Sequence, residues 1–218
     1  MRRIVCAAFV SLDGVMQAPG GPEEDPTGGF AHGGWTPAYW DELTDGSVEA
    51  AHEKPFDLLL GRKTYEIFAA HWPYRMDDPI GETFNRVAKY VVTSSDAPLS
   101  WANSHPIPDI ESVARLKQDD GADLLIWGSS TLYPQLLRKG LIDHLLLMIF
   151  PVVLGSGKRL FGDGTPPGAL KLIDSKISTT GVLIASYEPA GPVPLGSIVN
   201  EEPSEAELAR REKMRHEF

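Results

Sequence analysis

Twice in this chain a short, mostly apolar run ends on a glycine and passes without a linker into a helix-forming segment. "FDLLLG" at 56–61 leads into "RKTYEIFAA", and "ADLLIWG" at 122–128 leads into "SSTLYPQLLRKG". Runs that are apolar at consecutive positions, not alternate ones, suit strands buried on both faces, and such strands belong to parallel sheets covered by helices. The feature therefore confines the chain to α/β architectures.

The remaining signals fit that scheme. Residues 3–10 read as a buried strand closed by the turn Ser11-Leu12-Asp13-Gly14, "KYVVTSS" at 89–95 as a third strand, and 104–107 as a short one. Helical spacing covers 37–53, with Pro37 near its start and Asp45-Gly46 as a possible break, then 81–88, and 109–118 behind the cap Asp109. Pro134 displaces the start of the helix after Gly128. "LIDHLLLMIFPVVLG" at 141–155 is a long strand signal bent at Pro151, and "ALKLIDSKIS" and "GVLIASYE" are two late strands. Strands that alternate with helices early and dominate late predict an α/β sandwich with a mostly parallel sheet and antiparallel C-terminal strands. One domain over 1–190 is expected. It is followed by a charged tail, 191–218, whose Ser204-x-x-Glu207 capping box makes it helical or disordered.

Composition removes several function classes. The chain has 20 Lys+Arg against 30 Asp+Glu, a net charge of −10, which is the wrong sign for neutralising phosphates along a nucleic acid. Cys6 stands alone and cannot form an internal disulfide, as suits a reducing compartment. The apolar run Ile4–Val10 is followed by "SLDG" where a secretory signal would carry small cleavage-site residues. No run approaches the roughly 20 apolar residues of a membrane span. A soluble, cytoplasmic protein is expected, with a small molecule as its partner and neither membrane nor nucleic acid. The six histidines show no ligand spacing with one another or with Cys6, so no metal is expected. The 21 glycines and 18 prolines cluster at 18–35, 162–168 and 189–196, and the first cluster alone holds six glycines and three prolines.

The two strand-to-helix junctions carry the chemistry. Gly61-Arg62-Lys63-Thr64 puts two cations in the first turn of a helix, where the macrodipole disfavours them unless an anion docks on the free N–H groups. Gly128-Ser129-Ser130-Thr131 combines a glycine, which lets a ligand approach the backbone, with three hydroxyls that suit phosphate oxygens. Solvated cations and an ordinary N-cap explain each segment equally well on its own. Thr93-Ser94-Ser95 ends the third strand, and three such ends along the carboxyl edge of an α/β sheet fit a ligand with several phosphates.

"SLDGVM", "LLLGRKTYE", "KYVVTSS" and "WGSSTLYPQLLRKGLIDHLLLMIFPVVLGSGKRLF" together resemble the dihydrofolate reductase-like fold over roughly residues 3–188. Within that fold they are most similar to the reductase domain of the bifunctional riboflavin-pathway deaminase/reductase and its stand-alone relatives. The resemblance implies a three-layer sandwich and NADPH as cofactor. It places Arg62 at the adenosine 2′-phosphate, Thr64 at the pyrophosphate, and Thr93 and Ser94 along the 2′-phosphate and adenine side, with Gly61 and Lys63 of the same junction counted among the cofactor-binding residues. Gly128 and Ser129 match a Gly-Gly pair beside the pyrophosphate and nicotinamide, continued by Ser130, Thr131 and Leu132. Ser129 departs from the second glycine of that pair. Ala8, Val15 and Met16 would line the nicotinamide or simply pack. The stretch 18–35 falls where these reductases carry a mobile active-site loop, and Trp35 and Trp40 at its end either stack on a flat heterocycle or anchor the packing.

A pteridine reducer of this kind draws a proton from a carboxylate on the helix before "GRKT". Asp41, Glu42 and Asp45 fall in that region, and Asp41 is the candidate acid. Asp13 either binds a substrate hydroxyl or amine or makes an Asx turn. His144 stands where relatives carry an acidic residue, and Lys158 and Arg159 sit in a glycine-rich hairpin turn or face a substrate phosphate. The implied activity is hydride transfer from NADPH to a C=N or C=O bond of a small heterocyclic or sugar-phosphate substrate, such as 5-amino-6-(5-phosphoribosylamino)uracil. Dihydrofolate or pteridine reduction is the nearest alternative, and an NADPH-binding sensor without turnover is the alternative of another class. Relatives are often dimers, which makes a homodimer the implied assembly. The apolar run 145–154 would serve an interface as well as a core.

Overall fold

A computed structural model describes residues 1–198 and 202–217. Of the tail 191–218, residues 199–201 and 218 lie outside the described residues. Eight strands form one sheet: β1 (Ile4–Ser11), β2 (Phe56–Gly61), β3 (Lys89–Val92), β4 (Ser104–Ile107), β5 (Asp123–Trp127), β6 (His144–Phe150), β7 (Leu170–Ile177) and β8 (Leu183–Pro189). Their order is β4-β3-β2-β5-β1-β6-β8-β7. β1 to β6 pair in parallel, whereas β8 runs antiparallel to β6 and β7 antiparallel to β8. The expected α/β sandwich with a mostly parallel sheet and antiparallel C-terminal strands is what forms.

Helices cover both faces, which is why the central strands are apolar at consecutive positions. On one face α1 (Glu42–His52), α2 (Arg62–Ala69) and α3 (Pro79–Arg86) bury Val48, Tyr65 and Phe84 against Ala7, Leu58, Leu60 and Leu125. On the other, α4 (Ile110–Gln118) and α5 (Tyr133–Arg138) bury Val113 and Leu136 against Cys6, Ala8, Leu59 and Ile126. A terminal helix, α6 (Glu205–Arg215), starts at Ser204, whose hydroxyl accepts from Glu207 N–H at 3.3 Å, the expected capping position. Among the described residues no helix is long and apolar enough to cross a membrane.

Several boundaries differ from the sequence reading for identifiable reasons. Pro37 sits in a separate 3-10 turn, and the helix proper begins after Asp41, whose carboxylate caps it. Asp45-Gly46 does not break α1, because the cap and the buried face through Thr44 and Val48 offset the cost of one glycine, about 1 kcal/mol. α5 is only six residues, since Pro134 is tolerated in a first turn alone. β6 ends at Phe150, before Pro151, and lies between β1 and β8, so most of the apolar run at 145–154 is core strand.

Candidate functional site

The carboxyl ends of β2 and β5 lie side by side, and both open into a cleft of about 1160 Å³. Gly61 caps α2 without a side chain, so the first N–H groups of that helix have no capping partner. Two hydrogen bonds stitch the junctions together: Ser129 N–H donates to Thr64 Oγ1 and Gly61 N–H to Ser129 Oγ, each at 2.9 Å. Gly128 has φ +62°, and a Cβ there would lie 3.0 Å from Thr64 Cγ2 and 3.1 Å from its Oγ1. Ser129 holds φ 60°, a conformation costing about 1 kcal/mol or more, which its two bonds offset. Gly61, Lys63, Thr64, Gly128, Ser129, Ser130, Thr131 and Met16 all line the cleft.

The other expected nucleotide residues are placed differently. Arg62 pairs with Glu66 at 2.7 Å and donates to the Ala97 carbonyl at 2.9 Å, reaching the turn that follows Thr93-Ser94 at the outer rim. Leu132 and Ala8 are buried in the core beneath α5, and Val15 is fully buried on the other face. On β1 the side chain that reaches the cleft is Phe9, because alternate residues of a strand point to opposite faces. Its ring meets Trp40 at 5.4 Å and Trp127 at 5.2 Å.

Aromatic and aliphatic side chains supply much of the remaining lining, among them Phe9, Trp40, Val48, Ile67, Phe68, Trp72, Phe84 and Trp127. His52 sits among them and accepts a hydrogen bond from the Trp127 indole N–H at 3.1 Å. Burial lowers its imidazole to about 4, so the ring is neutral. Trp35, in contrast, is an anchor, buried edge-on against Phe150 at 5.4 Å.

The two candidate carboxylates, Asp41 and Asp13, are both engaged in bonds outside the cleft lining. Asp41 Oδ2 accepts from Thr179 Oγ1 and N–H at 2.7 and 2.8 Å, while Oδ1 accepts from the N–H and hydroxyl of Thr44 at 3.0 Å each. Those bonds, the Thr179 hydroxyl first, hold it well below the usual carboxylate range, which unsuits it as a proton donor, and it lies outside the cleft lining. Asp13 accepts from Ser11 Oγ at 2.7 Å, Leu154 N–H at 3.0 Å and Gly155 N–H at 2.8 Å, buckling the turn after β1 to the 152–157 loop. The Ser11 bond and then the Leu154 bond lower it to about 2. Asp13 is likewise absent from the cleft lining.

The glycine-rich stretch is also more constrained than its composition implies. The Gln17 side-chain amide donates to the carbonyls of Asp25 and Thr27 at 2.9 Å, Trp35 Nε1 donates to the Gln17 carbonyl at 2.8 Å, and Gly34 N–H to Ala18 O at 2.8 Å. Lys158 N–H donates to Gln17 Oε1 at 2.9 Å, and its ammonium pairs with Asp25. A Cβ on Gly33 would stand 2.6 Å from the Gly21 carbonyl oxygen, so the chain crosses itself there only because the residue is glycine. In place of a loose flap, the segment is a pinned strap whose residues 16–25 form one wall of the cleft. Lys158 faces that wall, whereas Arg159 is turned to the Asp13 and Gly155 carbonyls.

The family model described as the RibD C-terminal domain matches residues 2–185, most of the chain. The chain belongs to the RibD C-terminal domain family. Two relatives within reach are uncharacterized proteins of Bacillus subtilis (strain 168). YyaP is 27% identical over 199 residues, covering 85% of this chain and 94% of that protein. YwjB is 29% identical over 182 residues, covering 80% and 91%. Among solved structures, a putative riboflavin biosynthesis protein from Shewanella sp. PV-4 shares the fold with a TM-score of 0.57 at 17% identity, covering 86% of this chain and 99% of that one. Dihydrofolate reductase from Enterococcus faecalis, complexed with NADP(H) and RAB-propyl, gives 0.53 at 16% identity, covering 86% and 96%. A pyrimidine reductase-like protein from Corynebacterium diphtheriae gives 0.54 at 13%, covering 87% and 92%.

In this RibD C-terminal chain, His52 is the site residue that sequence reading passed over. The signal was present in the spacing: Thr44, Val48 and His52 recur every four residues and form the buried face of α1, whereas Asp41, Asp45 and Glu49 follow a neighbouring, outward stripe.

Proposed function

We propose that this protein is an NADPH-dependent reductase that transfers hydride to a small, flat heterocyclic substrate, with 5-amino-6-(5-phosphoribosylamino)uracil as the leading compound. The observation that carries the reading is the joining of two uncapped, hydroxyl-bearing junctions in a cleft that is also lined by aromatic side chains. That donor set fits a dinucleotide phosphate: Lys63 is an exposed cation without an ion pair among the described residues, beside the free N–H groups of α2 and the hydroxyls of Thr64, Ser130 and Thr131. Arg62, which reaches the turn after Thr93-Ser94, would select a 2′-phosphate at the rim through its guanidinium.

NADPH when bound supplies the hydride. The protein's part is positional: Met16 and the strap cover the cleft on one side, and the aromatic wall excludes water and orients a flat ring. Dihydrofolate reduction is less supported, since none of Asp41, Glu42 and Asp45 lines the cleft. Nucleotide fluorescence titration with NADPH, followed by oxidation assays against the aminouracil, dihydrofolate and related heterocycles, tests the reading. Turnover on one of them is expected; binding without any turnover would replace the reductase by a sensor, and absence of NADPH binding would overturn both.

A further inference from the structure

His52 is flanked by three aromatic rings and fixed by one hydrogen bond in a single tautomer. Its ring centroid lies 5.2 Å from that of Phe56, 5.5 Å from Phe84 and 5.8 Å from Trp127. An indole N–H only donates, and that of Trp127 occupies His52 Nε2 at 3.1 Å. A neutral imidazole has one acceptor and one donor nitrogen, so the proton sits on Nδ1. Nδ1 has no partner among the described residues, where the buried polar atoms lacking one are Ser104 Oγ and Tyr133 Oη; Nδ1 is therefore open to solvent. The residue borders the large cleft and not the smaller groove at the amino ends of the strands. A donor fixed by three rings has little rotational freedom left to lose on binding.

We propose that His52, oriented by Trp127, is the specificity-determining contact for the substrate ring: its Nδ1–H selects an uncharged planar ring that presents an acceptor, a carbonyl oxygen or an unprotonated nitrogen, at that point. The inference deepens the reductase reading and rests on it. A carboxylate in this place would select the opposite pattern, a ring that presents N–H donors. The carboxylates that do line the cleft are on the strap and the rim: Glu24 is engaged by the Gly20 and Gly21 N–H groups, Asp25 by Lys158 and Glu66 by Arg62, with Glu23 exposed on the strap. Trp127 is a positioning residue, and it is also the last residue before Gly128, so the ring contact and the nucleotide-side loop share one strand end.

The test uses the full chain and two probes of similar shape, lumazine, which carries carbonyl and ring-nitrogen acceptors, and indole, which has a donor but no acceptor nitrogen. Binding is read by isothermal titration calorimetry without nucleotide, and NADPH is titrated separately. Lumazine should bind the wild type more tightly than indole. His52→Phe should weaken lumazine at least about tenfold, equivalent to about 1.4 kcal/mol, while indole and NADPH change by less than about twofold. His52→Asn, which keeps an amide donor near the Nδ1 position, should recover part of the lumazine loss. Equal losses for both probes, or no lumazine binding to the wild type, would overturn the proposal. Long-range 15N NMR on the wild type reads the tautomer whether or not the variants fold: Nδ1–H is expected, and Nε2–H contradicts it. If NADPH fails to bind while the lumazine and NMR results hold, the reductase reading falls and the His52 contact remains; the reverse pattern removes the contact alone.

Discussion

The nucleotide-side wall of the cleft comes from two stretches of consecutive residues, 61–64 and 128–131, each a strand end running into a helix. The aromatic wall instead takes Phe9 from β1, Trp40 from the turn before α1, Val48 and His52 from α1, Phe68 from α2, Phe84 from α3 and Trp127 from β5. The first wall is polar and built on backbone groups; the second is made of side chains that meet only when the layers pack. Backbone donors at a strand end are present whatever the neighbours are, so that wall tolerates sequence change outside its few glycines and hydroxyls. The aromatic wall depends on the rotation of every helix that contributes to it.

Substitutions can separate the two walls, and the largest effect is expected at Gly128. Gly128→Val should lose about tenfold or more in NADPH affinity and about 1–3 kcal/mol in stability, because any side chain there is strained and meets Thr64. Fluorescence titration and urea unfolding measure both, and wild-type affinity in this variant would break the link between the stitched junctions and nucleotide binding. Next comes Arg62→Ala, which should weaken NADPH about tenfold while NADH changes by less than about twofold, since only NADPH carries the 2′-phosphate. Equal losses would remove Arg62 from that role.

A smaller effect should come from the aromatic wall through pH. His52 titrates at about 4 in the fold against 6.5 when exposed. Its folded value is depressed, so the unfolded chain binds the proton first as pH falls. Stability should therefore be full above pH 6.5 and decline toward pH 4, and His52→Gln should flatten that slope by about one proton. Urea titrations at several pH values decide it, and an unchanged slope would mean that His52 is already charged in the fold. The smallest effect on the cleft should come from Asp13→Asn. NADPH affinity should stay within about twofold while Tm drops, because the Leu154 and Gly155 tie is weakened. Asp13 sits at about 2 against 3.8, so its stabilising contribution is complete above pH 3.8 and vanishes as pH falls to about 2; the variant should lose that part of the acid sensitivity.

Much of the first wall was legible in the sequence and little of the second. Gly61-Thr64 and Gly128-Thr131 follow from local rules about apolar runs, glycines and helix starts. Ala8 packs in the core, the second of its two expected roles, while its neighbour Phe9 faces the cleft, because strand alternation sends adjacent residues to opposite faces of the sheet. The spacing puts Asp41 inside a helix over 37–53, whereas it caps α1 and is held by Thr179, 138 residues away. The strap 18–35 looked loose because glycine and proline signal broken regular structure, and they carry no information about the side-chain bonds from Gln17, Trp35 and Lys158 that pin it.

The sequence by itself determined a parallel, doubly covered sheet and the positions of the two junctions, because strands buried on both faces must be apolar throughout and helices must begin where backbone N–H groups lose their partners. Only the tertiary structure decided which side chains face the cleft. That choice turns on the rotation of α1 over the sheet: with Thr44 and Val48 packed inward, His52 is carried to the aromatic wall and Asp41 and Asp45 are turned away from it.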